Sequence, residues 1–394
     1  MSESKSELRR PFFYDFTLAD STFYFSMFFY NALCRGNLDN DQVEILEVFP
    51  DIPADRGLVY FGIYKFKSYL LLSPYCNKDD LLVYDIEHAK FSKLHNKGEI
   101  EFYSSAVFES KEDLYIVSKK TAEVNKINIQ KHSVECLSFP GYMTENARIC
   151  EIVRVRHLLY IPFNAKKILL IFDMDKEELI HRDFPENISF IATISYWNDK
   201  FWLTGSDRKI YTWKLGEKKA EAVAEFPDEV KLFYDGGIWF ANSLIHENIL
   251  WLFPCYSDLI LKYNLHTKKT ETVKIAVEEE SAEQLEEELK SGRYLVEKYN
   301  IVQKCGNYAF FRSSKTRLLY ELNLQDDNIH AHDLRVKNIY NQQIYPPATD
   351  GVMLEKSYTD GLKFLIKTLN KQTTDKEKRH DQTVGKIINM YMNK

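Results

Sequence analysis

The stretch Tyr69–Leu94, YLLLSPYCNKDDLLVYDIEHAKFSKL, decides how this chain folds. An apolar run leads into a short polar turn. A second apolar run ends in Tyr84-Asp85-Ile86, and a weaker third run follows another turn. Short runs joined by tight polar connections predict three antiparallel strands. The same grammar returns in Leu114–Phe139, Leu158–Phe184, Phe201–Phe226, Leu250–Ile275 and Ala309–Leu334.

The copies align on the residue before a short polar or charged one: Gly36, Tyr84, Ile127, Phe172, Trp213, Tyr263 and Leu322. Their followers are Asn37, Asp85, Asn128, Asp173, Lys214, Asn264 and Asn323, and successive anchors stand 48, 43, 45, 41, 50 and 59 residues apart. A period near 45 residues made only of short strands is what a four-stranded propeller blade requires. Upstream of each opening run lies a further apolar segment, for example Leu58–Tyr64, Ser104–Phe108, Ile149–Val155, Phe190–Tyr196, Ile238–Leu244 and Leu295–Ile301. These are the expected innermost strands, A. Runs such as Tyr69–Leu72, Leu158–Ile161 and Ile249–Phe253 are strands B, apolar on both faces as a strand between neighbouring blades must be. Strand C carries the anchor, and the more polar strand D lies outside.

The expected fold is therefore all-β: a seven-bladed β-propeller over residues 11–357, with six or eight blades also compatible with the spacing. In the first blade, strand A is either Phe12–Phe16 or Gly351–Leu354, and the second choice closes the ring by pairing the two ends of the chain. Ala276–Arg293 reads as an acidic helical insertion, from its helix formers and its Gly292 stop. Residues 358–394 read as a helical tail, with Leu362, Leu365, Ile366 and Leu369 at helical spacing and Asp360 as cap.

Composition sets the functional limits. A net charge of −6, with basic residues spread along the chain, argues against a nucleic-acid stripe. Thr22–Leu33 is shorter than the ~20 residues that cross a bilayer, so no membrane span is expected. Six cysteines without a CxxC pair read as reduced thiols in a cytoplasmic protein. No Gly-rich phosphate loop or nucleophile elbow is present, so no catalytic residue and no cofactor is assigned. His330-Ala331-His332 would face one way on a strand, as two metal ligands do. It falls in an outer strand D beside Asp326 and Asp327, is read as a solvated edge, and is assigned no metal.

The strand–turn–strand pattern, best seen in LLLSPYCNKDDLLVYDI, LLYIPFNAKKILLIFDM and ILWLFPCYSDLILKYNL, resembles β-propellers of the loosely Kelch-like kind found in many bacterial proteins. The double glycine of Kelch repeats and the Trp-Asp ending of WD40 repeats are both missing. The resemblance implies an architecture and transfers no active-site residue.

In such a blade the D–A links and B–C turns share one face. Three D–A links end in an arginine just before strand A: Arg56, Arg148 and Arg293. Planar guanidiniums near the channel mouth suit a carboxylate or phosphate, unless nearby acids such as Asp55, Glu145 or Glu286–Glu288 neutralise them. The B–C turns offer Tyr75, Asn77, Asn164 and Tyr256 as further ligand contacts, with Phe163 as an exposed aromatic. The function expected is non-catalytic recognition of a protein partner or an acidic ligand on this face. The alternative is a carbohydrate-related enzyme or sugar-binding accessory protein at the channel mouth.

Overall fold

Strand B of each repeat is buried on both faces, and this fixes the architecture. In Leu158–Phe163, the side chains of Leu159, Ile161 and Phe163 pack with Tyr115 and Val117 of the preceding repeat. Tyr160, on the opposite face, packs with Phe201 and Trp213 of the following one. The two-residue period of a strand thus divides one apolar run between two interfaces. Each repeat forms one four-stranded antiparallel sheet, and seven such sheets stand in a ring. Seven apolar clusters fill the seven junctions between neighbouring blades.

The computed structural model describes residues 11–336, apart from positions 12, 20, 28–31, 51–59, 75–79, 96–104, 138, 140, 143–145, 233–237, 258, 276–298, 314–315 and 317. The acidic insertion at 276–293, the strand expected at Gly351–Leu354 and the tail at 358–394 lie outside the described residues.

The inner strands A are Phe16–Ala19, Tyr60–Phe66, Ser105–Ser110, Val153–Val155, Thr193–Trp197, Phe240–His246 and Tyr299–Cys305. They begin later than the upstream apolar segments suggest, by four residues in blade 4. The reason is that Ala147 and Ile149, like Ile188 and Ile191 before blade 5, are buried in blade-to-blade clusters before the ladder begins. Apolar periodicity reports burial, and here burial precedes pairing.

The last blade and the first are joined at the outer edge of blade 1. Blade 1 supplies its own inner strand at Phe16–Ala19. Beyond blade 7 the chain adds Arg335–Val336, parallel, to the outer edge of blade 1, with Arg335 opposite Gln42 and Val336 opposite Val43.

The polar residue after each anchor has a definite task. The side-chain oxygens of Asn37, Asp85, Asn128, Asp173, Asn264 and Asn323 accept backbone N–H groups two or three residues on. Four residues after each of them the backbone turns left-handed, at Asp41, Ala89, His132, Glu177, Lys268 and Asp327. Asn and Asp favour such turns because the side chain stands in for a backbone acceptor. Blade 5 has Lys214 in this position and uses Gly216 at φ +91° instead.

Gly36 is the one small anchor among Tyr, Ile, Phe, Trp and Leu. A β-carbon there would overlap the ring of Phe23, which fills the space. Gly36→Leu should therefore destabilise the protein by at least the ~1–3 kcal/mol typical of overpacking. In combination with Phe23→Ala, urea unfolding should give a loss smaller than the sum of the two single losses. Simple additivity would mean that ring and anchor do not share this space.

Candidate ligand-binding face

The D–A links and B–C turns interlock on one face. Ala147 N and Ile149 N donate to the carbonyls of Lys120 and Lys119, at 2.6 and 3.1 Å. The Asn164 amide donates to Arg148 O at 2.7 Å and to Ile191 O at 2.9 Å, and its oxygen accepts Ile191 N at 2.7 Å. Ala165 N donates to Ala147 O at 3.3 Å. In blade 6, Ser257 Oγ and Cys255 N both donate to Trp239 O at 2.9 Å. Arg208 donates to Phe226 O and Pro227 O, and its guanidinium lies 5.5 Å over the Trp239 ring. Loops held in this way present a preformed surface.

The bonds around Arg148 bring three basic segments together: Lys119-Lys120, Arg148 and Lys166-Lys167. Arg148 is exposed and held at φ +53° by the link it sits in. Lys166 Nζ donates to Gly141 O at 2.6 Å and stands 5.7 Å from the centre of the Phe163 ring. Among the described residues, no carboxylate lies within ion-pair distance of Arg148, Lys166 or Lys167. A chain of net charge −6 thus carries a concentrated positive patch on blades 3 and 4.

Two carboxylates sit just upstream of inner strands. Glu151 Oε1 accepts Ser243 N at 2.6 Å, and Oε2 accepts Ile194 N at 2.8 Å and Ser243 Oγ at 2.6 Å. Ser243 Oγ is in turn 2.7 Å from Ser195 Oγ. Glu151 therefore ties the inner strands of blades 5 and 6 to blade 4. Asp15 accepts Phe16 N at 2.7 Å and Ile63 N at 2.9 Å, joining blade 1 to blade 2. Each carboxylate is ringed by protein yet keeps some accessible surface, as a group lining a narrow channel does. Burial pushes both up to about 7, against the lowering effect of their N–H donors and of Lys119.

Of the residues expected to bind, Arg56, Arg293, Tyr75 and Asn77 lie outside the described residues, as do Asp55, Glu145 and Glu286–Glu288. Arg148 lies in the basic patch. Asn164 is buried, with its amide committed to backbone groups. Tyr256 is half-buried, with its N–H on Ile238 O. Phe163 is not the exposed aromatic expected but is wholly buried between blades 3 and 4, because the strand continues through Pro162 and turns the ring inward. Lys166, Lys167, Asp15 and Glu151 were not foreseen. For the two acids the available signal was a single carboxylate set among apolar neighbours, Tyr14-Asp15-Phe16 and Cys150-Glu151-Ile152.

The channel acids make stability depend on pH with a definite sign. Between the ordinary carboxylate range and about pH 7, the native state holds protons that the unfolded chain has released. Stability from these groups is therefore fully present at acid pH and is lost as pH rises through about 7. Glu151→Gln should flatten the slope of unfolding free energy between pH 5 and 8, by up to about 1.4 kcal/mol per pH unit for one proton. An unchanged slope in urea titrations would show that Glu151 titrates normally.

No family model and no curated protein matches this sequence. Among solved structures it is similar to PorZ, an essential bacterial surface component of the type-IX secretion system of Porphyromonas gingivalis. That match has a TM-score of 0.51 and 9% identity, and covers 88% of this chain and 40% of PorZ. This chain thus spans less than half the length of that protein. It is also similar to a catalytically inactive virginiamycin B lyase from Staphylococcus aureus, solved with quinupristin. There the TM-score is 0.54 and the identity 10%, over 85% of this chain and 96% of the lyase. Likeness at this identity shows a shared fold, here the seven-bladed propeller, and nothing finer.

Proposed function

We propose that this protein is a non-catalytic, Kelch-like recognition platform that binds an acidic segment of a partner protein on the face carrying the B–C turns and D–A links. The observation that carries the reading is the basic patch of Arg148, Lys166 and Lys167, beside the Lys119-Lys120 segment whose Lys119 already acts on Asp15 and Glu151. The three segments are stitched to one another by backbone hydrogen bonds. A rigid cluster of like charge is costly to assemble unless an opposite charge is to be met there. Arginine adds a planar fork for carboxylates. The two propellers similar in fold are a secretion-system component and a lyase, so the fold by itself selects neither role.

The second reading, sugar chemistry at the channel mouth, rests on Asp15 and Glu151, whose affinity for protons suits general acid–base work. Their oxygens, however, already accept inner-strand N–H groups. A carboxylate held by several fixed donors is a poor proton shuttle, so we favour recognition.

The test uses a fluorescently labelled Glu/Asp-rich peptide and anisotropy at low salt. Arg148→Glu with Lys167→Glu should weaken binding at least tenfold, about 1.4 kcal/mol, and rising salt should weaken the wild type alike. Equal binding by wild type and double variant would overturn the reading. A soluble oligosaccharide bound by both, and lost in Glu151→Gln, would favour the second.

A further inference from the structure

At two of the seven junctions an ion pair links neighbouring blades at the same position of the repeat. In blade 3 the residue before the anchor is Lys126, and its ammonium meets Glu177, in the left-handed turn of blade 4. In blade 6 the equivalent Lys262 meets Asp327, in the corresponding turn of blade 7. Both acids stand five residues past their own anchors. The Glu177 bond lifts Lys126 above the ordinary lysine range. Burial works against the charge of Lys262, but Asp327 and Glu271 raise it all the same.

The junction of blade 7 with blade 1 differs from these two. The acid is present, as Asp41 at φ +56°. The lysine position is occupied by Glu321, so two carboxylates face this junction, whereas the junctions of blades 3 and 4 and of blades 6 and 7 pair an acid with a cation. Between them lies His332, 2% exposed, with Nδ1 at 2.7 Å from Asp41 Oδ1 and Nε2 at 3.0 Å from Glu321 Oε2. His330 stands directly across the ladder from Glu321, its ring centre 4.5 Å from that of His332. Asp41, His330 and His332 each offer a ligand atom within 4.8 Å of the others. The strand is therefore not the solvated edge its sequence suggests. His330 is exposed, but His332 is buried, with both ring nitrogens on carboxylates.

We propose that Asp41, His330 and His332 bind a divalent transition-metal cation of the zinc type across the junction of the last and first blades. Two imidazoles and one carboxylate are a common ligand set for such ions, with a further position left to water. The metal takes His332 through Nδ1. That leaves Nε2–H to donate to Glu321, the outer-shell carboxylate that fixes the ring and its tautomer. Tetrahedral zinc places its ligand atoms about 3.3 Å apart, from bonds of ~2.0–2.1 Å. The 2.7 Å contact between Asp41 and His332 then opens by about half an ångström as the cation replaces the shared proton. The cation supplies the positive charge that Lys126 and Lys262 supply elsewhere.

The full-length chain, treated with chelator and then dialysed against micromolar zinc chloride, should hold one zinc per chain and melt at a higher temperature than with EDTA. Cobalt(II) at the same site should give a visible d–d spectrum. His330→Ala removes an exposed side chain, so the fold stays intact, and zinc affinity should fall at least tenfold. Glu321→Lys restores the repeat's lysine opposite Asp41. It should abolish zinc binding and leave a melting temperature indifferent to EDTA. Wild-type protein free of zinc after dialysis would overturn the proposal. So would stoichiometric zinc retained by both His330→Ala and Asp41→Asn, which would place the ion elsewhere, for instance at exposed Cys136 or Cys305.

Discussion

The junction between the last blade and the first is the constraint on which the structure rests. Six of the seven junctions join blades that are consecutive in the chain. The seventh must bring Phe310 and Leu319 against Phe13, Phe16, Phe23 and Phe25, across nearly the whole described sequence. Burial of each large apolar side chain there contributes on the order of 1.5–3 kcal/mol, but burial alone does not set register. Directional contacts do that. Gln303 donates to Phe16 O between the inner strands. Asp41 accepts Asp333 N, and Asp41 O accepts Arg335 N at the outer edge. The joint is held at both radii, so the remaining blades have one consistent place to stand.

This explains which parts of the fold were legible. Strands B and C announce themselves because both faces are buried, and each short apolar run is nearly uninterrupted. The C–D turns announce themselves because the side chain of Asp85, Asn128 or Asn264 must do the work of a backbone acceptor, and few residue types can. Strand A was legible only to within a few residues. Ile149 and Ile191 are as apolar as strand residues but serve the packing before the ladder starts. The outer pairing at Arg335–Val336 was not legible, since a two-residue parallel pairing leaves no periodic trace.

The site was less legible than the fold, for a related reason. Arg148 could be picked out from its place before a strand. Lys166 and Lys167 could not, because a turn of Asn-Ala-Lys-Lys reads as ordinary surface until the bond from Asn164 to Arg148 O brings it beside the neighbouring link. Charge that is dilute along the sequence is concentrated by the fold. Glu151 shows the opposite transformation: a residue that belongs on a surface in sequence terms is drawn into the centre, because three inner-strand donors from two other blades converge on it.

Polar residues in this propeller work chiefly between blades, and their sign is set by what the neighbouring blade leaves unsatisfied. Inner-strand N–H groups at Ile63, Ile194 and Ser243 need acceptors, and carboxylates answer them. Left-handed turns that end in Glu177 or Asp327 present negative charge, and lysines answer that. At Glu321, which stands where blades 3 and 6 have lysine, a histidine instead lies between two carboxylates, His332 between Asp41 and Glu321. On the proposals made above, the patch around Arg148 and the acid-rich junction at Glu321 are the places where this mutual answering between blades would be completed by a ligand.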